Sequence, residues 1–264
     1  MPTDGPEVSV VVPVYRNADT LSALYQRVRQ ALETQGLTYE VVFVDDACPA
    51  GSLAVLQGLA GNDPHVAVLA LASNMGQHRA VLAGLGHAHG ERVVVLDADL
   101  QDPPEAIPEL LSKLQEGFGA VFAGRRGHYE SDVRLLTSRL FKWLLYKASG
   151  VPADAGLFVA MNRAMVERLL AYDTPRPFLV AQMGFTGLPL ASIPVVRAQR
   201  SGGGSAYTFW ARLMIGVRAL FWSISYRRRM SRQEFGSRAH QVPVKAYIGA
   251  RFSNPDDAGW KRVG

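Results

Sequence analysis

Short apolar runs rich in β-branched residues alternate, through the first half of the chain, with segments whose apolar residues recur every three or four positions. The runs predict buried strands, and the longer spacing predicts helices that cover them. The predicted strands are Val8–Val12, Tyr39–Val44, Val66–Leu71, Arg92–Leu96 and Ala120–Ala123, and the predicted helices are Thr20–Gln35, Ser52–Leu59, Gln77–His89 and Pro104–Glu116. Because the strands are almost continuously apolar, we expect an α/β fold whose central sheet is mostly parallel and flanked by helices.

The alternation becomes weaker after about residue 150. Further strands are predicted at Ala155–Met161 and Leu188–Val196, with a helix at Arg163–Ala171 between them. Residues 205–226 carry apolar side chains at three- and four-residue steps, which predicts a C-terminal amphipathic helix, whereas residues 227–264 show no clear periodicity. We therefore divide the chain into an α/β domain (1–204), an amphipathic helix (205–226) and a basic, weakly structured polar tail (227–264).

The charges of the 264-residue chain are unevenly distributed. Residues 1–196 hold 15 basic and 20 acidic side chains, whereas residues 197–264 hold 13 basic and 3 acidic ones. A basic segment beside an acidic body suits an anionic partner such as a membrane, a phosphate or a nucleic acid, and a merely solvated tail is the alternative.

The sequence contains no segment that reads as an export signal or a membrane span. The first apolar run has no basic segment before it, and no run reaches the roughly 18–20 apolar residues that a spanning helix needs. The single cysteine, Cys48, cannot form an internal disulfide, so nothing indicates an oxidising compartment. We expect a cytoplasmic protein.

Two carboxylates follow the fourth predicted strand, where ligands bind in parallel sheets. Asp97 and Asp99 are two residues apart and repel each other unless a cation lies near them, and Gln101 can add a neutral oxygen. Hard cations such as Mg²⁺ and Mn²⁺ accept few protein carboxylates and bind phosphates as well, so this segment predicts a metal–diphosphate site. The alternative is that an aspartate caps the helix that begins near Pro104.

The ends of the other strands carry weaker signals. Asp45 and Asp46 could accept hydrogen bonds from a base or a ribose, or could cap the helix near Ser52. Tyr15 could place its ring beside a base or simply pack, and Gly76 permits a close backbone approach. The chain lacks the glycine-rich phosphate loops, the Cys/His clusters and the Gly-x-Ser-x-Gly motif of other enzyme classes.

Taken in order, these motifs resemble those of inverting glycosyltransferases of family 2, which have the GT-A fold. The resemblance covers roughly residues 7–226 and is strongest to polyprenyl-phosphate glycosyltransferases, such as the dolichyl-phosphate mannosyltransferases and the undecaprenyl-phosphate 4-deoxy-4-formamido-L-arabinose transferases. It is carried by Val12-Pro-Val-Tyr15, Val44-Asp-Asp46, Asn74-x-Gly-Gln-His78, Asp97-Ala-Asp-Leu-Gln-Asp-Pro-Pro-Glu105, Gly124-Arg125, Asp154-Ala-Gly156 and Arg200-x-x-Gly-x-Ser-x-Tyr207.

The resemblance implies a role for each motif. The nucleotide would be held by Pro13, Tyr15, Asp45, Asp46 and Gly76, with Asp97 and Arg200 at its diphosphate. Mg²⁺ or Mn²⁺ would be held by Asp97, Asp99 and Gln101, and Arg200 would stabilise charge on the departing diphosphate. Arg125 and Arg134 would hold a lipid-phosphate acceptor, and Asp154 would act as the base if the acceptor is a hydroxyl.

The chain departs from the family pattern at three places. Ala206 replaces a lysine, Val159-Ala160 replaces a segment in which many members have arginine, and Arg16-Asn17-Ala18 lacks an expected acidic residue. Many lipid-phosphate members also continue into transmembrane helices, whereas this chain ends in a polar tail. These departures concern the acceptor more than the donor.

The expected function is metal-dependent, inverting transfer from a nucleotide-diphospho-sugar, with a UDP-sugar favoured, to a polyprenyl phosphate in the synthesis of a cell-envelope polysaccharide. The helix at 205–226 and the following Arg227–Arg229 predict peripheral contact with anionic lipid on the cytoplasmic face of the membrane. The alternative is that the apolar side chains of this helix pack onto the α/β domain as ordinary core. No nucleic-acid partner is expected, and self-association into a homo-oligomer is left open. The alternatives are a glycosyltransferase with a saccharide or other hydroxyl acceptor, and a non-catalytic membrane- or partner-binding module with the same fold.

Overall fold

A computed structural model describes residues 5–126, 150–172, 177–197 and 243–249. The strands in these ranges are β1 (Val8–Val14), β2 (Tyr39–Asp45), β3 (Val66–Leu71), β4 (Arg92–Val95), β5 (Ala120–Arg126), β6 (Val159–Asn162), β7 (Leu190–Val196) and β8 (Val244–Ile248). The helices are α1 (Leu21–Glu33), α2 (Ser52–Asn62), α3 (Gln77–His87), α4 (Ile107–Leu114), α5 (Arg163–Leu170) and α6 (Leu179–Phe185). A short 3₁₀ turn at Pro104–Ala106 precedes α4.

The described strands form one sheet in the order β7-β5-β6-β4-β1-β2-β3-β8. The pairs β1–β2, β1–β4, β2–β3 and β5–β7 are parallel, whereas β6 is antiparallel to both of its neighbours and β8 is antiparallel to β3. The prediction of a mostly parallel sheet is therefore confirmed. Because β1 and β2 run in register from Val8–Tyr39 to Val14–Asp45, their carboxyl ends lie side by side.

Helices cover both faces of the sheet, which is why its strands lack an alternating polar pattern. On one face, Val10 and Phe43 pack with Leu24 of α1 and Leu110 of α4. On the other face, Val11, Val42 and Val93 pack with residues of α3, α5 and α6. All of the described residues of β1, β2 and β3 are buried. These two apolar layers fix the direction of the strands, and hence the edge at which they end.

The first five predicted strands and the four helices between them are confirmed. The strand predicted at Ala155–Met161 begins later, at Val159, because residues 155–158 form a loop before β6. Helix α6 was not predicted. It is short and its first five residues are all buried, so it shows no polar face from which a helical period can be recognised.

Residues 243–249 differ from the expected weakly structured tail. β8 pairs with β3, placing Ile248 opposite Val68 and Ala246 opposite Ala70, and the Pro243 carbonyl accepts a hydrogen bond from Ala72 N–H at 3.0 Å. A five-residue strand is too short for its alternation to stand out in the sequence. The predicted amphipathic helix at 205–226 and the rest of the tail lie outside the described residues. Within the described ranges, no helix has the length and hydropathy to cross a bilayer.

Candidate functional site

The carboxyl ends of β1, β2 and β4 open into a cleft of about 620 Å³. Six of the residues predicted from the sequence line this cleft, which confirms that they meet at one edge of the sheet. The lining comprises Pro13, Val14, Tyr15, Arg16, Asn17, Asp46, Asn74, Gly76, Gln77, Ala80, Asp97, Ala98 and Asp99. Both carboxylates of the predicted metal pair are therefore on the same cleft as the predicted nucleotide residues.

The loop after β1 presents an aromatic ring to the cleft. Tyr15 is 41% exposed and is one of two large hydrophobic side chains that are exposed among the described residues. The Arg16 guanidinium lies 5.3 Å from the centre of the Tyr15 ring, a cation–π distance. Arg16 has a φ of 62°, and its N–H donates to the sulfur of Cys48 at 3.1 Å. The loops after β1 and β2 are thus connected directly.

Asp45 ends β2 with a carboxylate that is nearly fully buried. One oxygen accepts a hydrogen bond from Cys48 N–H at 3.3 Å, and the other has no hydrogen-bond partner among the described residues. Burial is the main cause of the raised pKa of this carboxyl, and the neighbouring Asp46 raises the pKa further. An unpaired buried oxygen is costly, so a ligand N–H or hydroxyl would stabilise the charged form.

Asp46 uses both carboxylate oxygens to hold the turn that precedes α3. They accept hydrogen bonds from Met75 N–H at 2.6 Å and from Gly76 N–H at 2.9 Å. Gly76 has a φ of 85° and a ψ of 155°, a conformation that only glycine adopts without strain. The described contacts of Asp46 are therefore structural ones, and its predicted contact with a nucleotide stays a prediction.

Gln77, the first residue of α3, contacts the predicted metal pair. Its side-chain Nε2 donates a hydrogen bond of 2.6 Å to Asp97 Oδ1. Asp99 Oδ1 accepts a hydrogen bond from Gln101 N–H at 3.1 Å, so the backbone of Gln101 contacts the pair, while metal ligation by its side chain stays a prediction. Sequence reasoning placed Gln77 in a motif but gave it no role.

The helix-capping alternatives are not realised in the structure. The N-cap residue of the 3₁₀ turn before α4 is Pro103, and that of α2 is Gly51. Neither helix start has a hydrogen bond from a side chain at its N-cap. None of the four aspartates at the ends of β2 and β4 therefore serves as a helix N-cap. The capping interpretation was wrong because the loops after these strands are longer than it required.

The segment from Ala98 to Glu105 is anchored at three points that sequence reasoning did not assign. Thr20 Oγ1 donates to the Ala98 carbonyl at 2.6 Å. Asp102 is fully buried and forms an ion pair with Arg197, at the end of β7. The guanidinium of Arg27, on α1, binds Glu105 through two hydrogen bonds of 2.8 and 2.7 Å. The acidic residues of this motif thus divide into cleft residues and anchors.

Backbone strain is concentrated at the same edge of the sheet. Among the described residues, the non-glycine residues in the left-handed region are Arg16, Ala47 and Leu100, with φ values of 62°, 50° and 59°. Each lies within a few residues of the end of β1, β2 or β4. Such conformations cost about 1–3 kcal/mol each and are typical of binding and catalytic sites, where the surrounding structure imposes them.

The cleft suits a cation that is completed by a ligand. No group of three or more His, Cys, Asp or Glu side chains that could hold a metal occurs within the described ranges. Asp97 and Asp99, which line the same cleft, could supply two carboxylates to a cation, with a bound phosphate and water as the remaining ligands. Mg²⁺ and Mn²⁺ accept such a set, whereas a structural zinc site would need more protein ligands.

Asp154 lies against the backbone of β5. A Cβ atom placed on Gly124 would fall 2.0 Å from Asp154 Oδ2 and 2.4 Å from Ser192 Oγ, which explains the glycine at this position. Arg125 follows in β5, but its side chain lies outside the described residues, as do Arg134 and Arg200. The structure therefore places Asp154, while the roles assigned to all of these residues stay predictions.

His78, the second residue of α3, is partly buried. Desolvation lowers its pKa to about 4, and its ring packs edge-on against Phe178 with the ring centres 5.4 Å apart. The imidazole is therefore neutral at physiological pH. Its Nδ1 atom is buried without a hydrogen-bond partner among the described residues.

Comparison with solved structures identifies the fold as GT-A. A mannosyltransferase from Pyrobaculum calidifontis, in complex with GDP-Man and Mn²⁺, superposes with a TM-score of 0.60 at 21% identity, covering 89% of this chain and 67% of that one. Glucosyl-3-phosphoglycerate synthase from Mycobacterium tuberculosis, in complex with Mn²⁺, UDP and phosphoglyceric acid, also gives 0.60, at 20% identity and 84% and 78% coverage. At these identities the likeness establishes the fold alone.

Sequence comparison gives the family. Two undecaprenyl-phosphate 4-deoxy-4-formamido-L-arabinose transferases are similar to this chain: that of Shewanella sediminis is 35% identical over 205 residues, and that of Klebsiella pneumoniae is 34% identical over 206. The matches cover 76% and 77% of this chain but only 62% and 63% of the relatives. The family model named "Glycosyl transferase family 2" matches residues 9–169, more than half of the sequence. The chain therefore belongs to glycosyl transferase family 2.

Proposed function

We propose that this protein transfers a sugar from a nucleotide-diphospho-sugar to a polyprenyl phosphate, with inversion at the anomeric carbon and with Mg²⁺ or Mn²⁺ bound. The observation that carries the proposal is the meeting of Asp97 and Asp99 with Tyr15 in one cleft, at the end of a parallel sheet. A cation site beside an aromatic ring suits a ligand that has a diphosphate at one end and a base at the other.

The end of the cleft formed by β1 and β2 suits the nucleoside. Tyr15 offers a partly exposed ring face, and Pro13 lies beside it in the lining. Asp46 lines the cleft beside them, whereas Asp45 does not, and a contact of Asp45 with a base N–H or a ribose hydroxyl stays a prediction. We favour a uridine nucleotide on the resemblance to bacterial polyprenyl-phosphate glycosyltransferases, and a guanosine nucleotide is the alternative donor.

The diphosphate would lie toward Asp97, Asp99 and Gln101, which are the residues that would hold the cation. When bound, Mg²⁺ or Mn²⁺ supplies positive charge that stabilises the leaving nucleotide diphosphate. Gly76 allows a close backbone approach at this end, since it has no side chain and lines the cleft. Arg200 would add a further cation to the same leaving group.

A polyprenyl phosphate is the favoured acceptor because the 34–35% identical relatives are named as undecaprenyl-phosphate transferases. A phosphate oxygen is already anionic, so it needs little help from a general base. Arg125 and Arg134 would hold this phosphate. Contact of residues 205–229 with anionic lipid would keep the protein at the cytoplasmic face of the membrane, where a cell-envelope polysaccharide precursor is assembled.

A hydroxyl acceptor is the second candidate, and the position of Asp154 favours it. Its half-buried carboxylate is held over Gly124, at the carboxyl half of β5, where the structure leaves no room for a side chain. A carboxylate fixed in this way could remove the proton of an acceptor hydroxyl. The two candidates differ in whether Asp154 is essential for turnover.

The test combines purified protein and Mn²⁺ with a panel of UDP- and GDP-sugars. Two kinds of acceptor are offered separately: undecaprenyl phosphate in detergent micelles, and soluble saccharides. We expect release of nucleotide diphosphate and formation of a sugar-phosphate lipid with one donor. Transfer to a saccharide alone would support the hydroxyl acceptor. Donor binding without turnover would indicate a non-catalytic module, and neither binding nor turnover with any donor would refute the proposal.

A further inference from the structure

We infer that Gln77 is a positioning residue that fixes the orientation of the Asp97 carboxylate for the cation. The inference rests on the proposed function, because it gives Gln77 a role at the metal end of the cleft. It assigns no chemical step to Gln77. The observation behind it is the 2.6 Å hydrogen bond from Gln77 Nε2 to Asp97 Oδ1.

The backbone of Gln77 is itself held in place. Gln77 follows Gly76, whose N–H donates to the Asp46 carboxylate, and it is the first residue of α3. The first turn of α3 is closed by hydrogen bonds from Arg79 N–H and Ala80 N–H to the Gly76 carbonyl, at 3.0 and 3.1 Å. The Asp46 carboxylate also accepts a hydrogen bond from Met75 N–H, and the backbone carbonyl of Asp46 accepts one from the side-chain amide of Asn74. The amide of Gln77 thus projects from a backbone fixed on both sides.

The side chain of Gln77 has no comparable role in packing. Gln77 is exposed and lines the cleft, whereas the residues of α3 that form the core begin at Ala80. An exposed glutamine loses rotamer freedom when it is held in one conformation, which opposes the gain from the hydrogen bond. A short amide–carboxylate bond at the mouth of a cleft is therefore better explained by what it does to Asp97 than by a gain in stability.

Fixing a carboxylate before a metal binds strengthens metal binding, because the orientation no longer has to be selected when the cation arrives. Groups that hydrogen-bond to metal ligands typically change metal affinity by 10–100-fold when they are removed. A neutral amide is suited to this task, since it donates to the carboxylate without placing a positive charge beside the cation. A lysine or arginine at position 77 would compete with the metal.

The test compares wild-type protein with three variants: Gln77→Ala, Gln77→Asn and Gln57→Ala. Gln77→Asn keeps an amide on a shorter side chain, and Gln57→Ala is a control at an exposed glutamine on α2. Mn²⁺ affinity is measured by electron paramagnetic resonance of the free ion, with and without UDP. We expect Gln77→Ala to weaken Mn²⁺ binding about tenfold or more, Gln77→Asn to lie between, and Gln57→Ala to match wild type. The unfolding temperature should be unchanged in all three.

A second measurement separates positioning from ligation. Because Asp97 itself remains, millimolar Mn²⁺ should restore turnover to Gln77→Ala, whereas Asp97→Asn should not recover. In metal-free, ¹⁵N-labelled protein, the side-chain amide resonance of Gln77 should shift when Asp97 is changed to Asn. Equal Mn²⁺ affinity in Gln77→Ala and wild type would overturn the inference alone. Absence of any Mn²⁺ binding by wild type in the presence of UDP would instead overturn the proposed function, and the inference with it.

Discussion

The carboxylate of Asp102 can be removed without changing a residue that lines the cleft, although it lies three positions after Asp99. It is fully buried and forms an ion pair with Arg197, of which 17% of the side chain is exposed. Truncating one member of a buried pair costs about 3–5 kcal/mol, because the other charge loses its partner in a poorly solvated place. Since water reaches part of Arg197, we expect Asp102→Ala to cost about 3 kcal/mol, near the lower end.

The assay is urea unfolding at neutral pH of Asp102→Ala, Arg197→Ala and the double variant. The double variant should cost much less than the two single changes added together, because the pair is already broken by the first change. A matched control is Glu105→Ala, which breaks the exposed pair with Arg27 and should cost no more than about 1 kcal/mol. A cost for Asp102→Ala as small as that of the control, or additive effects of the two changes, would refute the reasoning.

Three further changes test other parts of the site. In Asp99→Asn, UDP and Mn²⁺ should no longer raise the unfolding temperature, whereas the unliganded variant should unfold within a few degrees of wild type. Retained stabilisation by UDP and Mn²⁺ would exclude Asp99 as a metal ligand. Gly124→Ala should displace Asp154 and destabilise the protein by about 1–3 kcal/mol in urea, because the new methyl group would lie 2.0 Å from its carboxylate; an unchanged midpoint would contradict this packing. Burial raises the pKa of Glu40, but hydrogen bonds from His89 and Ser9 outweigh it and lower that pKa below the usual 4.5. Glu40 therefore stabilises the fold above about pH 4.5, and this contribution is lost as the pH falls through the lowered pKa. In Glu40→Gln, the free energy of unfolding measured in urea should fall less between pH 7 and pH 3 than in wild type. An unchanged pH dependence would rule out this role of Glu40.

The sheet and the position of the site were predictable because both depend on local patterns. Strands buried on both faces need continuous apolar runs, and a parallel sheet brings the residues after those runs to one edge. This is why Tyr15, Asp46, Asp97 and Asp99 could be assigned to one cleft before the structure was known.

Contacts between distant segments could not be predicted in the same way. Nothing in the sequence around Asp46 indicates that its carboxylate binds the turn some thirty residues later, or that Asp102 pairs with Arg197. The antiparallel direction of β6 was also hidden, because a buried strand has the same pattern in either direction. Such pairings follow from the three-dimensional arrangement and have no local periodicity.

Among the described strands, the antiparallel β8 is the one that covers the edge of β3. β3 is buried along its whole length, and an uncovered strand of this kind exposes a row of N–H and carbonyl groups beside apolar side chains, which favours aggregation. β8 covers this row and carries the exposed Lys245 as the second of its five residues, where a charge discourages further pairing. A shortened chain that stops before Pro243 would keep every described residue of the cleft, yet it should precipitate more readily because its sheet would end in β3.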